Sequence, residues 1–202
     1  MAAGKLLLEG VFRTEGVPEF TFVPPPNYNE ILLDVRRVGK PVILEGQSGT
    51  GKTTTVRRII EGLGDTRKTE YLTARHAPHI SRIEAIVRDQ LPGTFVIDDF
   101  HRLSQHLQEQ IADVAKLSAE VGSDSELPKL IIIGINQVGS ELIQLVPDIA
   151  KRTGIHRIAP GRAEDIALLV RNGCERLNIT ISDAESIYNE TQGDYWLTRR
   201  RS

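Results

Sequence analysis

"GQSGTGKTT", Gly46 to Thr54, fits the pattern G-x-x-x-x-G-K-[ST] and stands between an apolar run, "PVILEG" (41–46), and a stretch of helical character, "GKTTTVRRIIEGLG" (51–64). Glycines let the backbone curl so that successive N–H groups face inward at phosphate oxygens, and the N-terminus of the following helix adds positive potential there. Gly46, Gln47, Ser48, Gly49, Thr50, Gly51, Lys52, Thr53 and Thr54 are therefore a candidate nucleotide-binding set. In it Lys52 would reach the β- and γ-phosphates and the Thr53 hydroxyl would bind magnesium. A glycine-rich turn without a ligand also satisfies the pattern; the placement between strand and helix argues against it.

Outward from this loop the chain alternates between β-rich and helical stretches, the signature of a parallel sheet flanked by helices. "PVILEG" (41–46), "TEYLTA" (69–74), "GTFVID" (93–98), "KLIIIGI" (129–135) and "IHRIAP" (155–160) read as strands, continuously apolar as strands covered on both faces are. Between them, "HISRIEAIVRDQLPG" (79–93) and "SQHLQEQIADVAKLSAEVG" (104–122) read as helices. The second opens on a serine cap and sets Leu107, Ile111, Val114 and Leu117 on one face. Upstream, "EFTFVPPPNYNEILLDVRRVG" (19–39) offers a short strand-like run, three prolines and a helix around Tyr28 to Val38. Downstream, "RAEDIALLVRNGCERLNI" (162–179) and "SDAESIYNETQG" (182–193) are two helices with no strand between them. The closing "RRRS" is either a solvated basic tail or the sign of a helical segment cut short.

These boundaries predict an N-terminal segment over 1–40, an α/β core over 41–160 and a helical lid over 161–202. The 202 residues suffice for one such assembly with an ordinary core; 40% hydrophobic and 26% charged residues mark a globular chain. A formal net charge of -2 gives no global attraction to nucleic acid or anionic membrane, and the single cysteine, Cys174, cannot form an internal disulfide. "MAAGKLLLEGVF" (1–12) has too short an apolar run for a signal-peptide core or a membrane span, so a soluble, cytoplasmic protein is expected.

A phosphate loop needs a carboxylate at the end of a neighbouring strand to hold magnesium, and Asp98 closes "TFVID" at that location. Asp99 follows it, and is either a water-positioning group, one methylene shorter than glutamate, or a structural hydrogen-bonding group. Asn136, after "KLIIIGI", either touches the γ-phosphate or the attacking water, or stabilises the turn into "QVGSELI". Arg152, in "DIAKRTGIHRI", lies where an arginine commonly balances a helix C-terminal dipole.

With "GQSGTGKTT", "FVIDD", the asparagine after "IIIGI", Arg152 and a trailing helical segment in this order, the chain resembles the AAA+ and STAND classes of P-loop ATPase over about residues 20 to 198. The resemblance implies a five-stranded parallel sheet of order 5-1-4-3-2, with ATP and Mg²⁺ held between the α/β core and a helical lid. By that resemblance Lys52 and Thr53 match Walker A, Asp98 and Asp99 match Walker B, Asn136 matches sensor 1 and Arg152 the arginine finger supplied to a neighbouring subunit. "FTFVPPPNY" (20–28) looks like the loop that packs on adenine, which makes Phe22, Val23 and Tyr28 candidates beside ordinary core packing. "IAPGRAEDIALLV" and "AESIYNETQGDYWLT" are similar to the lid of STAND signalling and origin-recognition-type ATPases, and stand-alone cores of this kind occur in bacterial conflict and immunity proteins. Two departures stand out: Asp99 replaces the commoner glutamate, and no arginine directly follows "GD" at 193–194, Arg199 to Arg201 coming a turn later.

The expectation is a slow ATPase acting as a nucleotide-driven assembly switch, self-associating in its ATP state, with a protein partner or effector. A DNA-associated AAA+ ATPase is the alternative; it requires basic residues such as Arg57, Arg58, Arg67 and Lys68 to converge, whereas a solvated helix end explains the same residues. A small-molecule kinase would leave the Asn136 and Arg152 positions accidental.

Overall fold

The structure, a computed structural model, describes residues 7–64, 69–122, 126–135, 138–139, 152–181 and 183–201. Five strands, β1 (Val42–Glu45), β2 (Thr69–Thr73), β3 (Thr94–Asp98), β4 (Lys129–Gly134) and β5 (Gly154–Arg157), form one sheet of order β2-β3-β4-β1-β5. Every pairing is parallel, and Val42 stands between Ile131 of β4 and Gly154 of β5. This is the expected 5-1-4-3-2 sheet, with β1 between β4 and β5 and the candidate phosphate loop following its C-terminal end.

The chain divides into two compact units: residues 27–46 with 59–158, and residues 1–26 with 47–58 and 159–202. In the first, the sheet unit, α4 (Ala77–Asp89) and α5 (Gln105–Val121) bury Ile83, Ile86, Leu107 and Ile111 with Ile43, Phe95, Ile97, Leu130 and Ile132 of the strands. Val42, Leu44, Val96, Ile131 and Ile133, which alternate with these, are buried as well, and β4 is buried throughout. Coverage on both faces is why β1, β3 and β4 read as unbroken apolar runs; the edge strands β2 and β5, expected to be covered likewise, are only partly buried. In α5 the Ser104 hydroxyl accepts the Leu107 N–H at 3.3 Å, as a capping serine should. Leu117 is only half-buried, and the buried place falls to Ser118, whose hydroxyl donates to Pro128 O at 3.0 Å.

Helix α2 (Tyr28–Arg36) is tied to the sheet by a polar network. Lys129, buried at the start of β4, donates its ammonium to the carbonyls of Asp34 (2.9 Å), Arg37 (2.8 Å) and Lys40 and so satisfies one acceptor in the last turn of the helix, one at its cap and one beyond it. The Asp34 carboxylate accepts from Lys40 Nζ at 2.6 Å and meets His156 Nε2 at 3.0 Å.

The second, helical unit contains α1 (Leu8–Val11), α6 (Ala163–Leu177), α7 (Ala184–Thr191) and α8 (Tyr195–Arg201). Its core joins Val11, Phe12 and Val23 to Ile166, Leu169, Val170, Cys174 and Tyr195. Gly173 of α6 lies under the Phe12 ring, so closely that a Cβ there would overlap it. The strand-like run before the three prolines forms no strand: residues 19–23 are irregular, with Thr21 and Val23 buried and Phe20 and Phe22 half-buried. Instead of a strand partner, the buried Arg199 holds this stretch, its Nε reaching Thr21 Oγ1 at 3.2 Å and its Nη2 Thr21 O at 3.1 Å. Among the described residues no helix is long and apolar enough to cross a membrane.

Candidate nucleotide-binding site

The loop of the helical unit has the curl its glycines predict. Gly49 and Gly51 take φ of +79° and +87°, left-handed values that cost a glycine nothing. Helix α3 (Lys52–Gly62) starts directly after Gly51, whose carbonyl accepts the Thr55 N–H at 2.8 Å. Thr50 Oγ1 donates to Gln47 O at 3.0 Å, and the buried Lys52 turns its ammonium back across the loop to the same carbonyl at 2.5 Å. A cation aimed across a loop of glycine amides at a helix N-terminus fits a phosphate chain, and a Thr53 hydroxyl in the first turn of α3 is of the right chemistry for Mg²⁺.

Of the adenine-side candidates, Val23 belongs to the helical core, Phe22 lies under the Arg58 guanidinium at 5.7 Å, and Tyr28 opens α2 in the sheet unit. Arg58 also donates to Pro18 O (3.1 Å) and Glu19 O (2.8 Å), so it is engaged within its own unit; Arg67 and Lys68 of the basic cluster lie outside the described residues. Arg199 spends its nitrogens on Thr21 and on Tyr195 O at 3.3 Å. Burial lowers its pKa to about 10.

In the sheet unit, Asp98 ends β3 and its Oδ1 accepts the Asp99 N–H at 2.7 Å. That bond accompanies a left-handed backbone at Asp99 (φ 58°, ψ 35°), which aspartate tolerates better than most residues. The Asp99 side chain accepts from Thr73 Oγ1 at 3.0 Å and is forked by Arg75, Nη2 to Oδ1 at 2.8 Å and Nε to Oδ2 at 2.8 Å. Burial alone would raise its pKa; the hydrogen bonds from Arg75 and Thr73 outweigh that and hold the carboxyl below its ordinary value. Neither Arg75 nor Thr73 stood out in the sequence, because nothing local marks a cation after β2 as the partner of a carboxylate after β3. Arg152 is exposed, 3.6 Å from an exposed Glu120. Asn136 lies outside the described residues.

No family model and no curated protein matches the sequence. Solved structures do match in fold. Cdc6p from Pyrobaculum aerophilum is 19% identical with a TM-score of 0.65 over 95% of this chain and 63% of its own. The Aeropyrum pernix ORC1 protein, solved in complex with DNA, gives 17% and 0.64 over 94% and 60%. The Thermotoga maritima RuvB Holliday junction branch migration motor gives 20% and 0.56 over 80% and 52%. The chain thus spans less than two thirds of the length of these proteins. Sheet order and these likenesses together show the fold, which is that of the AAA+ P-loop ATPases.

Proposed function

We propose that this chain is an ATP–Mg²⁺-binding module that works as a nucleotide-driven assembly switch with slow hydrolysis. The loop over 46–54 would take the phosphates, with Lys52 balancing charge on the β- and γ-groups, Thr53 and Asp98 holding Mg²⁺, and the 161–202 segment acting as lid. Mg²⁺ held there would supply charge neutralisation to the phosphates. Asp99 would orient the attacking water, Asn136 would touch it or the γ-phosphate, and Arg152 would act on the nucleotide of a neighbouring subunit.

The observation that carries the switch reading is the grip of Arg75 and Thr73 on Asp99. A carboxylate with both oxygens engaged and lowered basicity is a poor acceptor for a proton from water, and it is already short by a methylene, about 1.5 Å. Misplacement of about 1 Å can cost on the order of a hundredfold in rate. Such a site keeps its ATP state for long periods, which suits a switch in signalling or immunity.

The test is calorimetric titration of ATP–Mg²⁺ into the protein and into Lys52→Ala. Binding by the first and none by the second supports the reading; equal binding by a folded Lys52→Ala protein removes the site. DNA association is the second reading, favoured by the likeness to ORC1 solved in complex with DNA. A shift of labelled DNA by this chain at moderate salt would promote it.

A further inference from the structure

Loop and last helix of the helical unit meet at Gly49. Tyr195, the first residue of α8, donates its backbone N–H to Gly49 O at 3.1 Å, and its ring lies 3.8 Å from where a Cβ on Gly51 would stand. A trans peptide is planar with its C=O and N–H antiparallel, so a Gly49 carbonyl fixed toward α8 aims the Thr50 N–H the opposite way. The residue before Tyr195 brings a charge. Asp194 sets its carboxylate against the Gly49 α-carbon, so that any Cβ there would collide with both oxygens, Oδ2 first. Its Oδ1 accepts the Leu197 N–H at 2.8 Å, the capping bond of α8, and this fixes the side chain in place.

An anion is thereby built against a loop whose glycines, lysine and helix N-terminus attract anions. We propose that Asp194 is an electrostatic brake on that loop, weakening its hold on polyphosphates in proportion to the charge they carry. The inference rests on the nucleotide reading of residues 46–54. At the effective dielectric of a protein surface, about 20, a unit charge about 12 Å from one phosphate charge opposes binding by about tenfold, and by more when nearer. Magnesium neutralises part of the ligand charge and eases the brake, so the metal becomes a condition for ATP to compete with less charged nucleotides.

Two substitutions isolate the charge. Asp194→Asn and Asp194→Ser both keep a side-chain oxygen to cap α8, and the serine also lacks an amide that could make a new bond to the ligand. Calorimetry on the full chain would compare ATP, ADP and AMP in EDTA, at about 50 mM and about 500 mM salt. Both variants should bind ATP about tenfold more tightly than the parent, ADP with a smaller gain and AMP with little, and the gain should shrink at high salt. Unchanged ATP affinity in both variants overturns the brake, and so does a gain equal for all three ligands and indifferent to salt. Should the parent and both variants fail to bind ATP, with or without Mg²⁺, the nucleotide reading itself falls; binding by the parent with no change in the variants sinks the brake alone.

Discussion

Arg75 grips Asp99 with both arms of its guanidinium, Nη2 on Oδ1 and Nε on Oδ2, each at 2.8 Å. Fork geometry of this kind fixes orientation as well as charge. The arginine is itself largely exposed, so it can leave without opening the core.

Arg75→Ala should therefore release Asp99 and raise ATP hydrolysis by about threefold or more, with ATP affinity little changed. Asp99→Asn in the same background should abolish the gain. Steady-state phosphate release checks both; an Arg75→Ala protein no faster than the parent shows that the ion pair does not limit turnover.

Acid should weaken the sheet unit through two carboxylates. Burial alone would raise the pKa of Asp34, but its hydrogen bonds to Lys40 and His156 hold it low, and Asp99 is held low by Arg75 and Thr73. A depressed folded pKa gives stability that is complete above the unfolded value, about 3.9, and is lost as pH falls through the folded one. Urea midpoints should fall below about pH 4, and Asp34→Asn should flatten that fall. Asp34→Ala, which strands two buried or half-buried partners, should cost about 3 kcal/mol at neutral pH.

Gly173→Ala sets local preference against packing. Alanine is the better helix former by about 1 kcal/mol. Its methyl, however, would overlap the Phe12 ring in the core of the helical unit, and overpacking costs about 1 to 3 kcal/mol. Packing should win, with net destabilisation of about 1 kcal/mol in denaturant melts; a stabilised variant would mean that Phe12 moves aside freely.

Arg152 sits in an exposed pair with Glu120, worth about 0.5 kcal/mol or less. Arg152→Ala should thus leave stability alone while lowering hydrolysis per subunit at concentrations where the protein assembles, and only there. The readout is specific activity against protein concentration for both proteins.

The inner strands were legible because they are covered on both faces: "VILE", "TFVID" and "KLIIIG" carry their apolar character without a break, whereas the edge strands β2 and β5 are only partly buried. The curl of residues 46–51 was legible because its geometry is local. Residues 19–23 misled because their apolar and polar residues alternate as in a strand, whereas Arg199, packing and the Thr21 hydroxyl's bond to Val11 O hold them as an irregular segment. The contacts of Asp99 with Arg75 and of Asp194 with Gly49 join residues far apart in sequence, and no local pattern announces them.

The switch itself is tested most directly by light scattering on the protein during size-exclusion chromatography, in ADP and in a non-hydrolysable ATP analogue with Mg²⁺. A nucleotide-driven switch should show a single-subunit mass in ADP and a larger, defined mass with the analogue, reached with ATP as well by Asp99→Asn. One mass in both nucleotides, under conditions where calorimetry shows each to be bound, would contradict it.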